Sequence, residues 1–223
     1  MKQLYTRWGK KIDPEHVLPE YPRPMLARGG YRECYTNLNG YWEYAFTKEF
    51  HRPERYEGKI LVPFSPESVL SGVSRQLMPD EYLWYRRSVE LTGWEQRQKK
   101  RRLLLHFGAV DQACVLYVNQ HRAGRHTGGY LPFSFDISAY VREGENELVL
   151  AVKDLSDTSY HARGKQRLER GGMFYTAQSG IWQTVWTEEV PEEYIGTAEA
   201  VPDLERGCVR IRVKAAGAGM QEP

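Results

Sequence analysis

The sequence lacks the features that mark several common functional classes. Its 223 residues contain only three cysteines, Cys34, Cys114 and Cys208, and no C-x-x-C pair, which indicates neither a zinc site nor a disulfide framework. No window approaches a membrane span, and the N-terminus has no apolar signal-peptide core. The formal net charge of +2 gives no overall attraction to nucleic acid. We therefore expect a cytoplasmic protein with reduced thiols and with neither a membrane nor a nucleic acid as its partner.

Long amphipathic helical patterns are also missing. Instead, short runs rich in β-branched and aromatic residues alternate with turn signals, as in residues 115–118 and 147–154. Aromatic residues make up 13% of the chain, and they favour pleated, half-buried strands. Many short strands joined by turns predict an all-β fold, a β-sandwich of jelly-roll type.

The chain divides into three predicted regions. Residues 1–34 are rich in proline and are expected to form an extended arm. Residues 35–190 carry the strand pattern and are assigned to the jelly-roll domain. Residues 191–223, the C-terminal tail, comprise a linker and two strands, 194–201 and 208–215, which are too few for a stable domain. An open strand edge in this tail could pair with a second copy and form a homo-oligomer.

Several motifs follow one another in a characteristic order. They are Leu38-Asn39-Gly40-Tyr41-Trp42, Val62-Pro63, Trp84-Tyr85-Arg86, residues 115–137, Arg163-Gly164-Lys165-Gln166 and residues 179–186. In this order they resemble the N-terminal sugar-binding domain of glycoside hydrolase family 2, which includes β-galactosidases and β-glucuronidases. The resemblance covers nearly the whole chain and implies a galactose-binding-domain-like jelly roll. It also implies that residues 191–223 are the truncated start of the immunoglobulin-like sandwich that follows in this family.

The family's catalytic residues are not expected in this chain. Retaining glycosidases need two carboxyl groups about 5–5.5 Å apart. In family 2 both are glutamates of a TIM barrel, a fold of roughly 250 residues. The adjacent acids Glu188-Glu189 and Glu192-Glu193 are expected to be charged linker residues at a domain boundary. We therefore predict no catalytic residue, no cofactor and an inactive isolated chain. Because the six histidines lack convergent spacing, we also predict no metal site.

The strongest candidate site is the long stretch between residues 154 and 177. Loops longer than about 12–15 residues in a compact domain are usually functional or disordered. The resemblance implies that this loop helps to shape a sugar pocket. The residues predicted to bind the sugar are Asp154, Arg163, Lys165, Gln166, Phe174, Tyr175 and, from outside the loop, Tyr130. Most other aromatic side chains are expected to fill the core between two sheets.

Phe174 departs from the family pattern. In the galactosidase and glucuronidase branches, an Asp lies seven positions before the Ile of a Gly-Ile step and contacts the terminal sugar. Here the step is Gly180-Ile181, and the corresponding residue is Phe174. A phenyl ring could stack on a sugar face, but it accepts no hydrogen bond from a hydroxyl. The departure argues against a standard galactosidase or glucuronidase specificity.

These observations favour one function and leave two alternatives. The favoured function is the non-catalytic N-terminal region of a β-glycoside hydrolase, which supports the barrel and one wall of the substrate pocket. Its expected partners are a carbohydrate, bound weakly by the isolated chain, and the downstream domains of the parent enzyme. The alternatives are a free-standing carbohydrate-binding module and a purely structural or interaction domain.

Overall fold

The computed structural model describes residues 5–18, 20 and 34–217. Within these ranges the strands and the one short α-helix are, in chain order, β1 (Tyr35–Asn37), β2 (Gly40–Thr47), β3 (Gly58–Val62), β4 (Tyr82–Leu91), α1 (Trp94–Arg97), β5 (Arg101–Phe107), β6 (Val110–Asp111), β7 (Ala113–Val118), β8 (His121–Thr127), β9 (Phe133–Asp136), β10 (Gly144–Lys153), β11 (Gln166–Arg167), β12 (Tyr175–Thr176), β13 (Gly180–Ile181), β14 (Val185–Pro191), β15 (Glu193–Asp203) and β16 (Cys208–Gly217). This content confirms the predicted all-β class.

Two antiparallel sheets form the body of the protein. One has the strand order β1-β14-β5-β9, and the other has the order β3-β2-β4-β10-β7-β8. Neighbouring strands in each sheet are often distant in the chain, which is the crossing pattern of a jelly-roll sandwich. The short pair β13–β6 lies apart from both sheets and connects residues 180–181 with residues 110–111.

A single apolar core fills the space between the two sheets. Alternation along β7 buries Cys114, Leu116 and Val118 and leaves the residues between them partly exposed. Both sheets contribute to the core, the larger one through Trp42, Leu83, Tyr85, Leu116 and Leu150 and the smaller one through Leu105, Phe107 and Val185. Side chains at alternate positions of β7 therefore face inward, as the period of two in a β-strand requires.

The outer face of the larger sheet is also covered at its centre. Trp84 of β4 packs with Val149 and Ala151 of β10, and partly buried tyrosines lie over them. This second layer explains why β10 is a nearly continuous apolar run, since a strand buried on both faces has no polar side.

The β7–β8 hairpin closes with a two-residue turn. Asn119 and Gln120 have φ values of 47° and 70°, as a type I′ turn requires at its two central positions. The strand pattern of residues 115–118 and the segment after it predict a tight two-residue turn here, with a wider hairpin through His121 as the alternative. The structure confirms the two-residue form.

The acidic pair Glu188-Glu189 does not belong to a linker, so that expectation is wrong. Both residues lie in β14, between β1 and β5, and both are buried. Glu188 accepts a hydrogen bond from Trp186 Nε1 at 2.7 Å. Glu189 accepts two from the Arg97 guanidinium, at 2.9 and 2.8 Å. These partners satisfy charges that a sheet interior could not otherwise hold.

The C-terminal hairpin of β15 and β16 lies outside the core. Its apolar side chains are largely exposed, among them Ile195, Val209, Ile211 and Val213. Both strands are longer than the predicted 194–201 and 208–215. No helix in the described part of the chain has the length and hydrophobicity of a membrane span. The division of the chain into arm, jelly roll and tail stays a prediction.

Candidate functional site

A cleft of about 270 Å³ opens at one end of the sandwich. It is formed by the loop after β3, by the segment between β8 and β9, and by the segments around β11 and β13. Its lining residues are Pro63, Phe64, Ser65, Ser68, Asp111, Tyr130, Gln166, Gln178 and Trp182. This volume lies just below the roughly 300–1,000 Å³ of typical small-molecule sites.

Two aromatic rings form one wall of the cleft. Tyr130 and Trp182 meet edge to face, with ring centroids 6.1 Å apart and ring planes at 71°. Trp182 Nε1 donates to the Gly129 carbonyl at 2.8 Å, which fixes the indole ring. Both rings remain partly exposed to the cleft, so they offer apolar surface together with a phenolic hydroxyl.

Amide and hydroxyl groups form a second wall. The Gln178 backbone N–H donates to Gln166 Oε1 at 2.6 Å. The Ser65 hydroxyl donates to Gln178 Oε1. Parallel pairing of β11 with β12 holds Gln166 opposite Tyr175. The wall therefore combines donors and acceptors, which is what a ligand with several hydroxyl groups requires.

The floor of the cleft is acidic. Burial, reinforced by the charges of Asp154 and Glu67, raises the pKa of Asp111 to about 7. Burial also raises the pKa of Asp154, although the Ser156 backbone N–H, which donates to this carboxylate at 2.7 Å, acts to lower it. A Cβ on Gly129 would overlap the Asp111 carboxylate, so only glycine permits this close approach.

A further carboxylate, the partly buried Glu67, supports the cleft from behind. Glu67 Oε1 accepts hydrogen bonds from Ser179 Oγ at 2.6 Å, Gln76 Nε2 at 3.0 Å and Leu77 N at 3.1 Å, and Oε2 accepts from Ser179 N at 3.2 Å. Burial raises the pKa of Glu67 to about 7 although these donors oppose the shift. Glu67 thereby joins the loop after β3 to the segment before β13.

The predicted site residues lie in different places. Tyr130 and Gln166 line the cleft, whereas Lys165 and Tyr175 line an open groove beside it together with Gln166. Asp154 is buried at the end of β10 and lines neither. Their role in sugar binding stays a prediction.

Two further predicted residues lie away from the cleft. Arg163 Nη1 donates to the Ser159 carbonyl at 2.9 Å and so stabilises its own loop. The Phe174 ring packs beneath the Arg167 guanidinium, whose carbon lies 4.0 Å from the ring centroid. Neither side chain lines the cleft or the groove beside it.

The sequence did not identify the remaining lining residues as a site. Ser65, Ser68, Asp111 and Gln178 carry no spacing signal, because they come from segments far apart in the chain. Trp182 belongs to the aromatic side chains that were expected to fill the core. Only the Val62-Pro63 break indicated that β3 ends at this point.

The fold and the cleft define an all-β domain with a polar and aromatic site at one end of a sandwich. A family model described as glycosyl hydrolases family 2, sugar binding domain, matches residues 69–191. The chain belongs to this family.

Individual relatives agree with this assignment. A β-galactosidase of Thermoanaerobacter pseudethanolicus is 30% identical over 140 residues, covering 62% of this chain and 18% of that protein. A β-glucuronidase of Homo sapiens is 22% identical over 222 residues, covering 85% of this chain and 34% of that protein.

A solved structure shares the fold. A β-glucuronidase from Ruminococcus gnavus, in complex with a C6-substituted uronic isofagomine, matches with a TM-score of 0.67 at 23% identity. The match covers 89% of this chain and 36% of that one. The chain thus spans 18% to 36% of the length of these three proteins.

Proposed function

We propose that this chain is the non-catalytic N-terminal region of a β-glycoside hydrolase and that its cleft contacts the sugar. The family match and the composition of the cleft support this proposal. The observation that carries it is the pairing of two partly exposed aromatic rings with a wall of amide and hydroxyl groups. Sugars present apolar C–H faces and hydroxyl edges, and the two walls complement these two kinds of surface.

The proposal covers β-glycosides as a class. The three similar proteins described above are a β-galactosidase and two β-glucuronidases. In this chain Phe174 packs against Arg167 and supplies no acceptor for a sugar hydroxyl. The choice between galactosides, glucuronides and other β-glycosides therefore depends on residues outside this loop position.

Catalysis is assigned to residues outside the 223 residues of this chain. Glu188 and Glu189 are occupied by Trp186 and Arg97 within a sheet, where a glycosidic bond has no access. Further domains of the parent enzyme would supply the two carboxyl groups that hydrolysis requires. Incubation of the purified chain with nitrophenyl β-glycosides should therefore give no turnover.

A titration of the ¹⁵N-labelled chain tests the sugar-binding cleft. The probes are methyl β-galactoside, methyl β-glucuronide and methyl β-xyloside, each followed by amide, side-chain amide and indole N–H shifts. We expect a dissociation constant of about 1 mM or weaker, because in the proposed enzyme this chain supplies only one side of the complete substrate pocket. The shifts should concentrate on Gln166, Gln178 and Trp182. Shifts confined to other parts of the surface would contradict the proposal.

Matched tyrosine variants provide the control. Tyr130→Ala removes a ring from the cleft and should abolish the shifts. Tyr160→Ala removes a fully exposed ring outside the cleft and should leave them unchanged. Micromolar affinity would instead support a free-standing carbohydrate-binding module. Absence of any shift with all three probes would support a structural or interaction domain. A cytoplasmic location and a homo-oligomer through the tail stay predictions.

A further inference from the structure

Three ligand-type side chains converge beneath the floor of the cleft. Asp111 ends β6, Asp154 directly follows β10, and His161 lies in the loop beyond it. Each offers one ligand atom, and these atoms all lie within 4.8 Å of one another. His161 Nε2 is 3.4 Å from Asp154 Oδ1. Asp111 is held by the sheet pairing of β6, and Asp154 is held at the end of the central strand β10, so both carboxylates have fixed positions.

The cluster contains polar atoms that nothing in the described structure satisfies. Asp111 is 4% exposed, and its Oδ1 has no hydrogen-bond partner. The His161 side chain is 9% exposed, and its Nδ1 is also without a partner. Within the described residues, no Lys or Arg lies within 4.0 Å of either carboxylate. Buried charged groups are normally paired or coordinate a metal, so this arrangement is incomplete as it stands.

We propose that Asp111, Asp154 and His161 together bind one divalent transition-metal cation of the Mn²⁺ or Zn²⁺ type. Mixed carboxylate and imidazole ligands suit these ions, whereas Ca²⁺ and Mg²⁺ prefer oxygen ligands throughout. Ligand bonds of about 2.0–2.2 Å place neighbouring donors of a tetrahedral or octahedral ion roughly 3–3.6 Å apart. His161 Nε2 and Asp154 Oδ1, 3.4 Å apart, already have this separation. The other ligand atoms lie within 4.8 Å of one another and would have to approach by at most about 1.8 Å.

The bound cation would also be accessible from the cleft. Three protein ligands leave at least one coordination position for water or another oxygen ligand. Asp111 lines the cleft, so that position lies at its floor. The inference does not depend on the proposed sugar binding, and its test contains no sugar.

The test uses the whole chain, stripped of metal with a chelator and then titrated with Mn²⁺ or Zn²⁺ alone. Calorimetry, together with the loss of the free Mn²⁺ signal in electron paramagnetic resonance, measures affinity and stoichiometry. We expect one ion per chain with a dissociation constant of roughly 1–100 μM, and a higher melting temperature with the ion than without. Ca²⁺ should bind at least tenfold more weakly.

Substitutions then locate the site. Asp111→Asn and Asp154→Asn keep the side-chain shape and should each weaken binding at least tenfold. His161→Gln, in the loop, provides a third variant if either Asn variant fails to fold by circular dichroism. Binding absent up to 1 mM, or unchanged in every variant that folds, would overturn the proposal.

Two controls separate this cluster from adventitious sites. Asp13→Asn disrupts the exposed Asp13–His16 pair, whose atoms lie 2.9 Å apart. Cys208→Ala removes the exposed thiol, which could bind Zn²⁺ by itself. Both variants should bind as the unmodified chain does. Loss of binding in either would assign the ion to the surface and overturn the proposal.

Discussion

The hairpin turn at Asn119 and Gln120 gives the sharpest test of the local structure. Both residues have positive φ, but only Asn119 uses its side chain in the fold. Asn119 Nδ2 donates to Asn146 Oδ1 at 2.7 Å and to the Tyr140 carbonyl at 2.9 Å, and its Oδ1 accepts from Glu147 N at 2.9 Å. Gln120 is exposed, and its side chain makes no hydrogen bond within the described structure. Gln120→Gly should therefore stabilise the protein.

The expected gain follows from two opposing effects. A residue with a Cβ at left-handed φ costs roughly 1–2 kcal/mol relative to glycine. Glycine also increases the conformational entropy of the unfolded chain, which reduces the gain in stability by about 0.4–1 kcal/mol. The net gain is about 0.5–1 kcal/mol. For a chain of this size, this gain raises the melting temperature by roughly 1–4 °C.

Thermal and urea denaturation, followed by circular dichroism, measure the effect. Gln120→Ala keeps the Cβ and should give no gain, which separates backbone strain from loss of the side chain. Asn119→Gly relieves the same strain but loses three side-chain hydrogen bonds, so it should destabilise the protein by about 1–3 kcal/mol. A melting temperature for Gln120→Gly at or below that of the unmodified chain would refute the reasoning.

The remaining predictions concern the core, the pH dependence and the tail. Gly180 and Gly207 both have positive φ, but a Cβ on Gly180 would overlap Tyr85 Oη, whereas a Cβ on Gly207 would meet open space. Gly180→Ala should therefore lower the melting temperature by several degrees more than Gly207→Ala does. Burial raises the pKa of Glu67 to about 7, so the folded protein holds the proton of this carboxyl group more tightly than the unfolded chain does. The resulting stabilisation of the fold is complete below pH 4.5 and is lost as the pH rises through 7. The free energy of unfolding falls by up to about 3 kcal/mol over this range. Glu67→Gln should flatten the urea-midpoint profile over this range, and an unchanged slope would contradict the shift. In hydrogen exchange, the exposed hairpin 193–217 should protect its amides least among the strands, and protection equal to that of β7 would show that it packs in solution.

Strand positions could be predicted because they depend on local patterns. Alternation in residues 115–118 and the two-residue turn after them are properties of neighbouring residues, and the structure reproduces both. The prediction failed at Glu188-Glu189, because adjacent acids normally indicate solvent. Their burial depends on hydrogen bonds from Arg97 and Trp186. Arg97 is distant in the chain, and no pattern around the two glutamates indicates that its side chain would lie beside them.

The candidate site divides in the same way. Gln166, within the long loop, and Tyr130, outside it, were both predicted to bind the sugar, and both line the cleft. Arg163 and Phe174 were chosen by the same reasoning, yet they pack within their own loop. A loop sequence indicates that a segment is irregular, but the direction of each side chain depends on contacts made elsewhere.

The sequence by itself determined the all-β class, the order of the motifs and the family, because periodicity and motif order are properties of the linear chain and need no tertiary contact. Only the tertiary structure decided which side chains meet. Asp111, Asp154 and His161 are separated by up to 50 positions in the chain, and sheet pairing brings their ligand atoms within 4.8 Å. Ser65 and Gln178 become hydrogen-bond partners within one wall of the cleft by the same means. In an antiparallel sandwich most contacts are non-local, so the chemistry of the site depends on the closed fold rather than on any one segment.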